Sequence, residues 1–231
     1  MRYQEHSPGA ALAPWVACAW ERSDGGETPV RVIPDGCIDI VWTEGVGAQV
    51  VGPNTTAFLV ALPCGVHVVG VRMRPGSAAA LLGIDARELR DGDMPLAALW
   101  REAGPQLEQR LEAGTDRVRI LLAALGRAAQ HGAAPDALVT AAVQRLQDPG
   151  SRVSALASEL AISPRQLRRR FDAAVGYGPK QLARVLRLER ALASARAGEE
   201  LAWAAASAGY ADQAHFSHEC RALAGVTPSA L

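Results

Sequence analysis

Two segments near the C-terminal end of the chain each contain a short helix, a tight turn and a second helix with its own capping residue. In the first segment, residues 153–171, Ser154 caps a helix in which the small Ala157 lets another helix approach closely at a steep angle. Ser163 caps the next helix, and Pro164 takes its first position, where the missing N–H costs nothing. This arrangement predicts a helix-turn-helix unit.

The second helix of this unit has a basic outer face. Leu167 and Phe171 are four residues apart and face the core, so the outer faces carry Arg165, Gln166, Arg168, Arg169 and Arg170. A capped helix of this kind is typical of one that enters the major groove, where Arg binds guanine or phosphate and Gln reads adenine. The alternative is a solvated basic helix on a bundle, but the preceding helix and turn favour the helix that reads DNA.

The second segment, residues 201–229, repeats the same logic. Gly209 ends an Ala-rich helix and Asp212 caps the next one, in which Phe216 and Cys220 face inward four residues apart. The side chains left for groove or phosphate contacts are Gln213, His215, Ser217, His218 and Arg221. The chain therefore has two predicted DNA-reading units.

A long helix over residues 179–196 connects the two units. At about 1.5 Å per residue it spans roughly 27 Å, which with helix widths added sets two recognition helices near one DNA turn apart. Residues 163–196 contain nine Lys and Arg, Lys180 among them, and two acids, a density that indicates phosphate contact. Residues 1–113 carry 14 acids against 9 arginines, and the remainder carries 15 basic residues against 10 acids. This asymmetry predicts two modules, of which the basic one meets a polyanion.

Several motifs in residues 135–231 resemble the DNA-binding domain of the AraC family of bacterial transcription regulators. They are Ser163-Pro-Arg-x-Leu-x-Arg-x-Phe171, Gly178-Pro-Lys180, Gly-Tyr-x-Asp-Gln-x-His-Phe-Ser from Gly209, and Gly-Val-Thr-Pro-Ser from Gly225. The resemblance implies a transcription regulator that reads two successive major grooves of double-stranded DNA and has RNA polymerase as a partner. We predict an activator, and repression stays open as the alternative. It also implies that the first recognition helix makes the stronger base contacts, and that Asp212 belongs to the second set. The family often has Phe in place of Cys220, so looser packing is expected there.

The first third of the chain is predicted to form strands. Short β-branched runs separated by Pro and Gly turns occupy residues 31–33, 38–42, 49–51 and 66–73, and helical periodicity begins near Leu96. The best linker is 130–135. We therefore expect an α+β N-terminal domain over residues 1–131, a small barrel-like sheet plus helices, followed by an all-α double helix-turn-helix domain over residues 132–231.

The stretch Pro34-Asp-Gly-Cys-Ile-Asp-Ile-Val-Trp42 and the stretch from Val69 to Ser77 are similar to a poorly characterised domain that precedes AraC-type DNA-binding domains. The resemblance implies a sensor or dimerisation role and names no ligand. A small β domain can form a pocket with aromatic walls and few polar groups. The candidate effector pocket consists of Trp20, Cys37, Asp39, Trp42, His67 and Arg72.

Cys37 follows the Pro-Asp-Gly turn, and two interpretations of it are open. A thiol sensor requires nearby cations to lower the pKa of the thiol, and Arg31, Arg72 or Arg74 can serve. The favoured alternative is a small buried apolar residue, with Asp35 only setting the turn.

The sequence favours a cytoplasmic, ligand-responsive regulator over an enzyme. It has no Gly-rich phosphate loop, Gly-x-Ser-x-Gly elbow or His-Glu-x-x-His pair, and its four cysteines form no CxxC motif, so neither a metal nor a cofactor is expected. We expect no signal peptide and no membrane-spanning segment. The alternatives are an effector-independent DNA-binding protein whose N-terminal domain only dimerises, and a thiol sensor. A homodimer can form through the helix 116–130 or the β domain, but packing of that helix inside its own domain explains its Leu/Val stripe equally well.

Overall fold

The computed structural model describes residues 2–23 and 29–231, and its N-terminal part is built on a six-stranded antiparallel sheet. The strands follow the order β1-β2-β7-β4-β5-β8, and β3 pairs with β6 in a separate two-stranded sheet. The strand bounds are β1 Arg2–His6, β2 Val16–Ser23, β3 Val30–Val32, β4 Ile38–Thr43, β5 Gly47–Val51, β6 Phe58–Val60, β7 Val68–Met73 and β8 Asp93–Pro95. Sequence patterning predicted β3, β4, β5 and β7 and missed the other four.

The two faces of the large sheet have different environments. In the central strand β4, Ile38, Ile40 and Trp42 are buried, and the residues between them are only half-buried. Side chains alternate between faces along a strand, so the buried set faces one side and Asp39 and Val41 face the other. One face therefore packs on helices, and the opposite face is available to line a cavity.

Four helices cover the buried face of the sheet. They are α1 Ala78–Leu82, α2 Leu96–Leu99, α3 Ala103–Ala113 and α4 Arg117–His131, and a short 3-10 helix, Ala86–Glu88, precedes β8. Leu121 and Leu125 of α4 are both 1% exposed within this core. Of the two interpretations of the apolar stripe on α4, packing inside its own domain is the one that these contacts support. Ser77 does not cap α1 with its side chain, because its hydroxyl donates to the carbonyls of Trp15 and Arg74.

The remaining helices form two small cores. Their bounds are α5 Ala137–Leu146, α6 Val153–Glu159, α7 Pro164–Val175, α8 Pro179–Arg196, α9 Leu201–Ser207 and α10 Gln213–Ala224, followed by a 3-10 turn, Pro228–Ala230. Leu182 and Leu186 of α8 belong to the first core, which includes α5, α6 and α7. Leu188 and Leu192 of the same helix belong to the second core, with α9 and α10. The predicted fold class, a sheet-rich N-terminal region followed by paired helix-turn-helix units, is confirmed.

The helix boundaries test three predicted caps. Ser163 and Asp212 cap α7 and α10 with their side chains, as predicted. The cap of α6 is Arg152, so Ser154 lies inside the helix and the prediction for it was wrong.

Helix α4 ends at His131 and α5 begins at Ala137, so the predicted domain boundary, which stays a prediction, falls in the connection between them. Among the helices of residues 2–23 and 29–231, none is both long enough and apolar enough to cross a membrane.

The N-terminal domain contacts the second half of the chain through turns and backbone groups. The N–H of Ala57 donates to the carbonyl of Leu223 at 2.7 Å, and the amide nitrogen of Gln181 donates to the carbonyl of Thr55 at 3.3 Å. At the Pro-Asp-Gly turn, Gly36 has a φ of +80°, and a Cβ there would lie 2.6 Å from a methyl carbon of Leu182 on α8. The turn therefore needs glycine both for its backbone conformation and for its contact with α8.

Changing Gly36→Ala should loosen the packing between the N-terminal domain and α8. The added methyl group meets Leu182, and left-handed backbone costs a non-glycine residue about 1 kcal/mol. Limited proteolysis of the connection at residues 132–136 should become faster. Gly45→Ala is the matched control, because Gly45 has a φ of +76° and no neighbouring atom within 4 Å of the added carbon. Equal effects of the two variants would contradict a role for Gly36 in docking α8.

Candidate functional site

Helix α7 begins with a reciprocal cap that also involves one of the predicted DNA contacts. The hydroxyl of Ser163 accepts a hydrogen bond from the backbone N–H of Gln166 at 3.2 Å. In return, Oε1 of Gln166 accepts from the backbone N–H of Ser163 at 2.9 Å. This capping box gives the helix a well-defined start. It also occupies the side-chain oxygen that Gln166 would need for bidentate recognition of adenine.

The five polar residues of α7 predicted to contact DNA differ in their freedom. Arg168 pairs with Asp172 at 2.9 Å, and Arg170 pairs with Asp136, the cap of α5, at 2.5 Å. Arg165 and Arg169 are exposed and make no hydrogen bond or ion pair within the described part of the chain. Because α7 buries Leu167 and Phe171 against α5 and α8, the helical period places Arg165 and Arg169 on the outward side. These two arginines are the groups most available to a ligand.

The basic residues of α8 are also only partly available. Arg184 and Arg187 pair with Glu219, and Arg190 donates to the carbonyls of Leu146 and Gln147. Their guanidinium groups hold helices together, so fewer basic side chains are free for a phosphate than the count in the sequence suggests. Lys180, at the start of α8, is exposed and makes no such contact with another described residue.

Helix α10, the second predicted recognition helix, begins at a turn that His215 helps to stabilise. Asp212 accepts the backbone N–H of His215 at 2.7 Å, and Nδ1 of His215 accepts from the backbone N–H of Ala211 at 3.4 Å. The ring meets Tyr210 edge-on with centroids 5.2 Å apart. His215 is thus part of the local structure, whereas the other predicted contacts, Gln213, His218 and Arg221, are exposed and Ser217 is half-buried.

Glu219 joins α10 to α8 and was missed by the sequence analysis. Its side chain is 7% exposed and lies 3.1 Å from Nε of Arg184 and 2.7 Å from Nη2 of Arg187. The guanidinium of Arg187 also stacks on the ring of Tyr210 at 4.5 Å. The available signal was that Glu219 follows Phe216 by three residues, which places an acid beside the buried stripe.

A cavity of about 780 Å³ lies between the N-terminal domain and α8. Its floor is the face of the large sheet that carries Asp39 and Val41, and the two-stranded sheet covers it through residues such as Val30 and Phe58. Helix α8 closes another side and contributes Glu189, Arg190, Leu192, Ala193 and Arg196. Among the described residues, no three His, Cys, Asp or Glu side chains are grouped to hold a metal ion.

The structure brings together four of the six residues predicted to form the effector pocket. Trp20, Cys37, Asp39 and Arg72 line the cavity. Trp42 does not, because it alternates with Asp39 and Val41 and is fully buried on the other face, where Arg117 stacks on its ring at 4.7 Å. His67 precedes β7 and lies 3.7 Å from Glu21 outside the cavity. The placement of Trp42 and His67 in the pocket is therefore corrected.

The cavity floor contains a charged group built around Arg72. Its Nε lies 3.1 Å from Asp35 and 3.7 Å from Asp39, and the indole N–H of Trp20 donates to Asp39 at 3.1 Å. Asp35 also accepts the backbone N–H of Cys37 at 2.9 Å. Asp35 therefore both sets the turn, as predicted, and lines the cavity, which the sequence did not indicate.

Burial strongly affects the acids of the cavity. Removal from water raises the pKa of Asp39 to about 7, against the opposing influence of Arg72. Burial, and then the charge of Asp35, raises the pKa of Glu189 to about 8. Burial followed by Asp35 and Asp39 also raises the pKa of Cys37, so its thiol stays protonated at neutral pH. A protonated thiol is a poor nucleophile, which argues against Cys37 as a thiol sensor.

Two protein-family models match this chain, one in its C-terminal part and one in its N-terminal part. Residues 156–231 match a family model described as a helix-turn-helix domain, and residues 4–95 match a domain of unknown function, DUF6597. The chain thus carries an AraC-type helix-turn-helix domain of transcription regulators behind a DUF6597 domain, and the resemblance seen in the motifs is confirmed. None of the curated proteins matches the chain.

Solved structures of ToxT from Vibrio cholerae are similar to this chain over most of its length. An apo ToxT variant is 11% identical with a TM-score of 0.50, covering 92% of this chain and 96% of that chain. Another ToxT structure is 12% identical with a TM-score of 0.48, covering 100% and 97%. ToxT with an unsaturated fatty acid bound is 13% identical with a TM-score of 0.46, covering 92% of each. At this identity, the likeness to the apo variant shows a shared fold alone.

Changing Glu219→Ala should destabilise the second helix-turn-helix unit by about 3 kcal/mol, since it leaves two arginines without their buried partner. Urea denaturation of the full chain measures this loss. Glu159→Ala is the control, because Glu159 forms an exposed pair with Arg145 at 3.0 Å, and such pairs contribute about 0–1 kcal/mol. Similar losses in the two variants would contradict a structural role for Glu219.

Changing Glu189→Gln should make the stability of the protein less dependent on pH. The raised pKa of Glu189, about 8, means that the folded chain holds this proton more tightly than the unfolded chain. Its contribution is complete below the unfolded pKa and is lost as pH rises through 8, so the wild type should weaken on that side. Relative to wild type, the variant should gain on the order of 4 kcal/mol between about pH 5 and pH 8.5 in urea denaturation. If the difference in unfolding free energy between the variant and the wild type is the same at both pH values, Glu189 is not a buried ionisable group.

Proposed function

We propose that this protein is a sequence-specific transcription regulator that reads two successive major grooves, and that a small molecule in the interdomain cavity controls its DNA affinity. The observation that carries the DNA-binding part is the outward pair Arg165 and Arg169 on α7. Both are exposed on a firmly capped helix and have no partner within the described residues. Guanidinium groups in this position suit bidentate contact with guanine.

The length and packing of helix α8 support recognition of two successive major grooves. It has 18 residues and contributes to the cores of both helix-turn-helix units, so it holds α7 and α10 at a defined separation. A span of about 27 Å plus helix widths suits recognition helices one DNA turn apart. Lys180, exposed at the start of α8, is the best-placed phosphate contact on this helix.

The cavity supports control by a ligand, because α8 is one of its walls. A molecule bound there touches the sheet and, on the other side, the helix that spaces the two recognition helices. A ligand shifts a conformational equilibrium only through different affinities for the two states. A ligand that spans both domains meets this requirement when the domain arrangement changes. This favours a responsive regulator over an effector-independent one.

The proposal also includes the partners and location implied by the AraC-type resemblance. RNA polymerase is the protein partner, and the cytoplasm is the site of action. For a homodimer the β domain is the better candidate surface, because α4 uses its Leu/Val stripe inside its own domain.

Selection from random-sequence duplexes tests the DNA-binding part. The wild type should enrich a site of two short blocks about one helical turn apart, and Arg165→Ala or Arg169→Ala should each cost about tenfold or more in affinity for that site. Arg119→Ala is the control, because it removes an equal charge from an 84% exposed side chain on α4. Weak binding that enriches no site and fades uniformly with salt would contradict the proposal.

A further inference from the structure

The interdomain cavity has a concentration of carboxylates at one end. Asp35, Asp39 and Glu189 all line it, and Arg72 is the guanidinium in direct contact with the two aspartates. Glu189 faces them from α8 and makes no hydrogen bond or ion pair with any described residue. We propose that the effector of this cavity is an apolar organic cation, whose ammonium group lies between Glu189 and the Asp35–Asp39 pair. This inference rests on the effector site of the proposed function and specifies its ligand.

The other arginines that line the cavity are not in ion-pair contact with these acids in the described part of the chain. Arg22 lies on β2 opposite Val68, four residues or about 13 Å along β7 from Arg72. Arg31 donates to the carbonyl of Ala224 at 3.0 Å, and Arg190 donates to two backbone carbonyls at the end of α5. Arg196 lies seven residues after Glu189, about 10 Å further along α8. The three carboxyl groups therefore share one guanidinium in direct contact, and a cationic group that displaces their protons gains ion-pair partners at this end.

Two aromatic residues extend the same end of the cavity. Tyr3 and Trp20 line it with ring centroids 6.1 Å apart. Trp20 lies across Gly70, where a Cβ would be 2.3 Å from the indole, so the glycine leaves room for the ring. Aromatic faces attract alkylammonium groups, and the Val and Leu side chains elsewhere in the cavity suit an apolar body. The volume, about 780 Å³, fits a ligand of ordinary small-molecule size.

Protons and the proposed cation compete for the same carboxyl groups, those of Asp39 and Glu189. Glu189 is faced by Asp35 and Cys37 from the turn before β4, by Arg72 from β7, and by Arg190 and Arg196 from its own helix. Tyr177, just before α8, also lies within electrostatic range of it. Burial raises the pKa of Asp39 and of Glu189 towards and above neutrality, so these acids hold protons when the cavity is empty. An ammonium group that displaces those protons should bind more tightly as the pH rises.

Calorimetric titration of the full chain without DNA tests the inference. The probes are 4-phenylbutylamine, 4-phenylbutyrate and 4-phenylbutanol, which share an apolar body and differ in charge. The amine should bind about tenfold or more tightly than the carboxylate at pH 8, and its affinity should fall several-fold at about pH 6. Glu189→Gln should lower the affinity for the amine by about tenfold and keep the affinity for the alcohol within about twofold of wild type. This comparison distinguishes the loss of a charge from damage to the cavity. Glu159→Gln, an acid on α6 outside the cavity, should change neither.

Each contrary result has a defined meaning. Tighter binding of the carboxylate, equal binding of the amine to wild type and Glu189→Gln, or no binding of the amine would overturn the cation assignment. Repeating the DNA affinity measurement with saturating amine separates this from the proposed function. Amine binding that leaves DNA affinity unchanged keeps the ligand class and removes the regulatory role. If DNA affinity changes with 4-phenylbutyrate and not with the amine, the regulatory role of the cavity is kept and the cation assignment is overturned.

Discussion

Helix α8 must satisfy three neighbours at once, and the rest of the structure depends on how it does so. Its N-terminal half supplies Leu182 to the first helix-turn-helix core, and its C-terminal half supplies Leu188 to the second. Leu182 also contacts the turn at Gly36, so the same helix fixes the position of the N-terminal domain. The three contacts lie on one continuous helix of 18 residues, so the positions of both helix-turn-helix cores and of the turn at Gly36 are set relative to the same element.

The cavity follows from the position of α8, and so does its chemistry. The face of the sheet opposite the helical core carries Asp39 and Arg72, which would be solvated if the sheet stood alone. The cover formed by α8 and the two-stranded sheet removes much of that water and adds a third acid, Glu189. Arg72 is in ion-pair contact with Asp35 and Asp39, and burial raises the pKa of Asp39 and of Glu189, so these two acids hold protons unless a cation pairs with them. This is a costly arrangement for stability alone, and it marks the cavity as a candidate functional site.

On the DNA-binding side, ion pairs within the protein decide which arginines are available. Arg168 and Arg170 are next to Arg169 in the sequence, yet both have carboxylate partners, whereas Arg169 has none among the residues that the structure describes. Similarly, Glu219 engages two arginines of α8. A sequence with many arginines therefore presents a smaller set of free guanidinium groups, and those on α7 point outward from its packed face.

The sequence alone determined the features that depend on local chemistry. The cap at Ser163, the helical stripes, the basic face of α7 and the motifs of the C-terminal domain act over a few residues, so they could be read directly. Strands β1, β2, β6 and β8 lacked clear alternation and were missed. Only the tertiary structure decided which face of the sheet Trp42 occupies and that Glu189, over a hundred residues from Asp35 in the chain, shares its cavity. These features depend on register and on the docking of α8, which join distant parts of the chain and leave no periodic signal in either part.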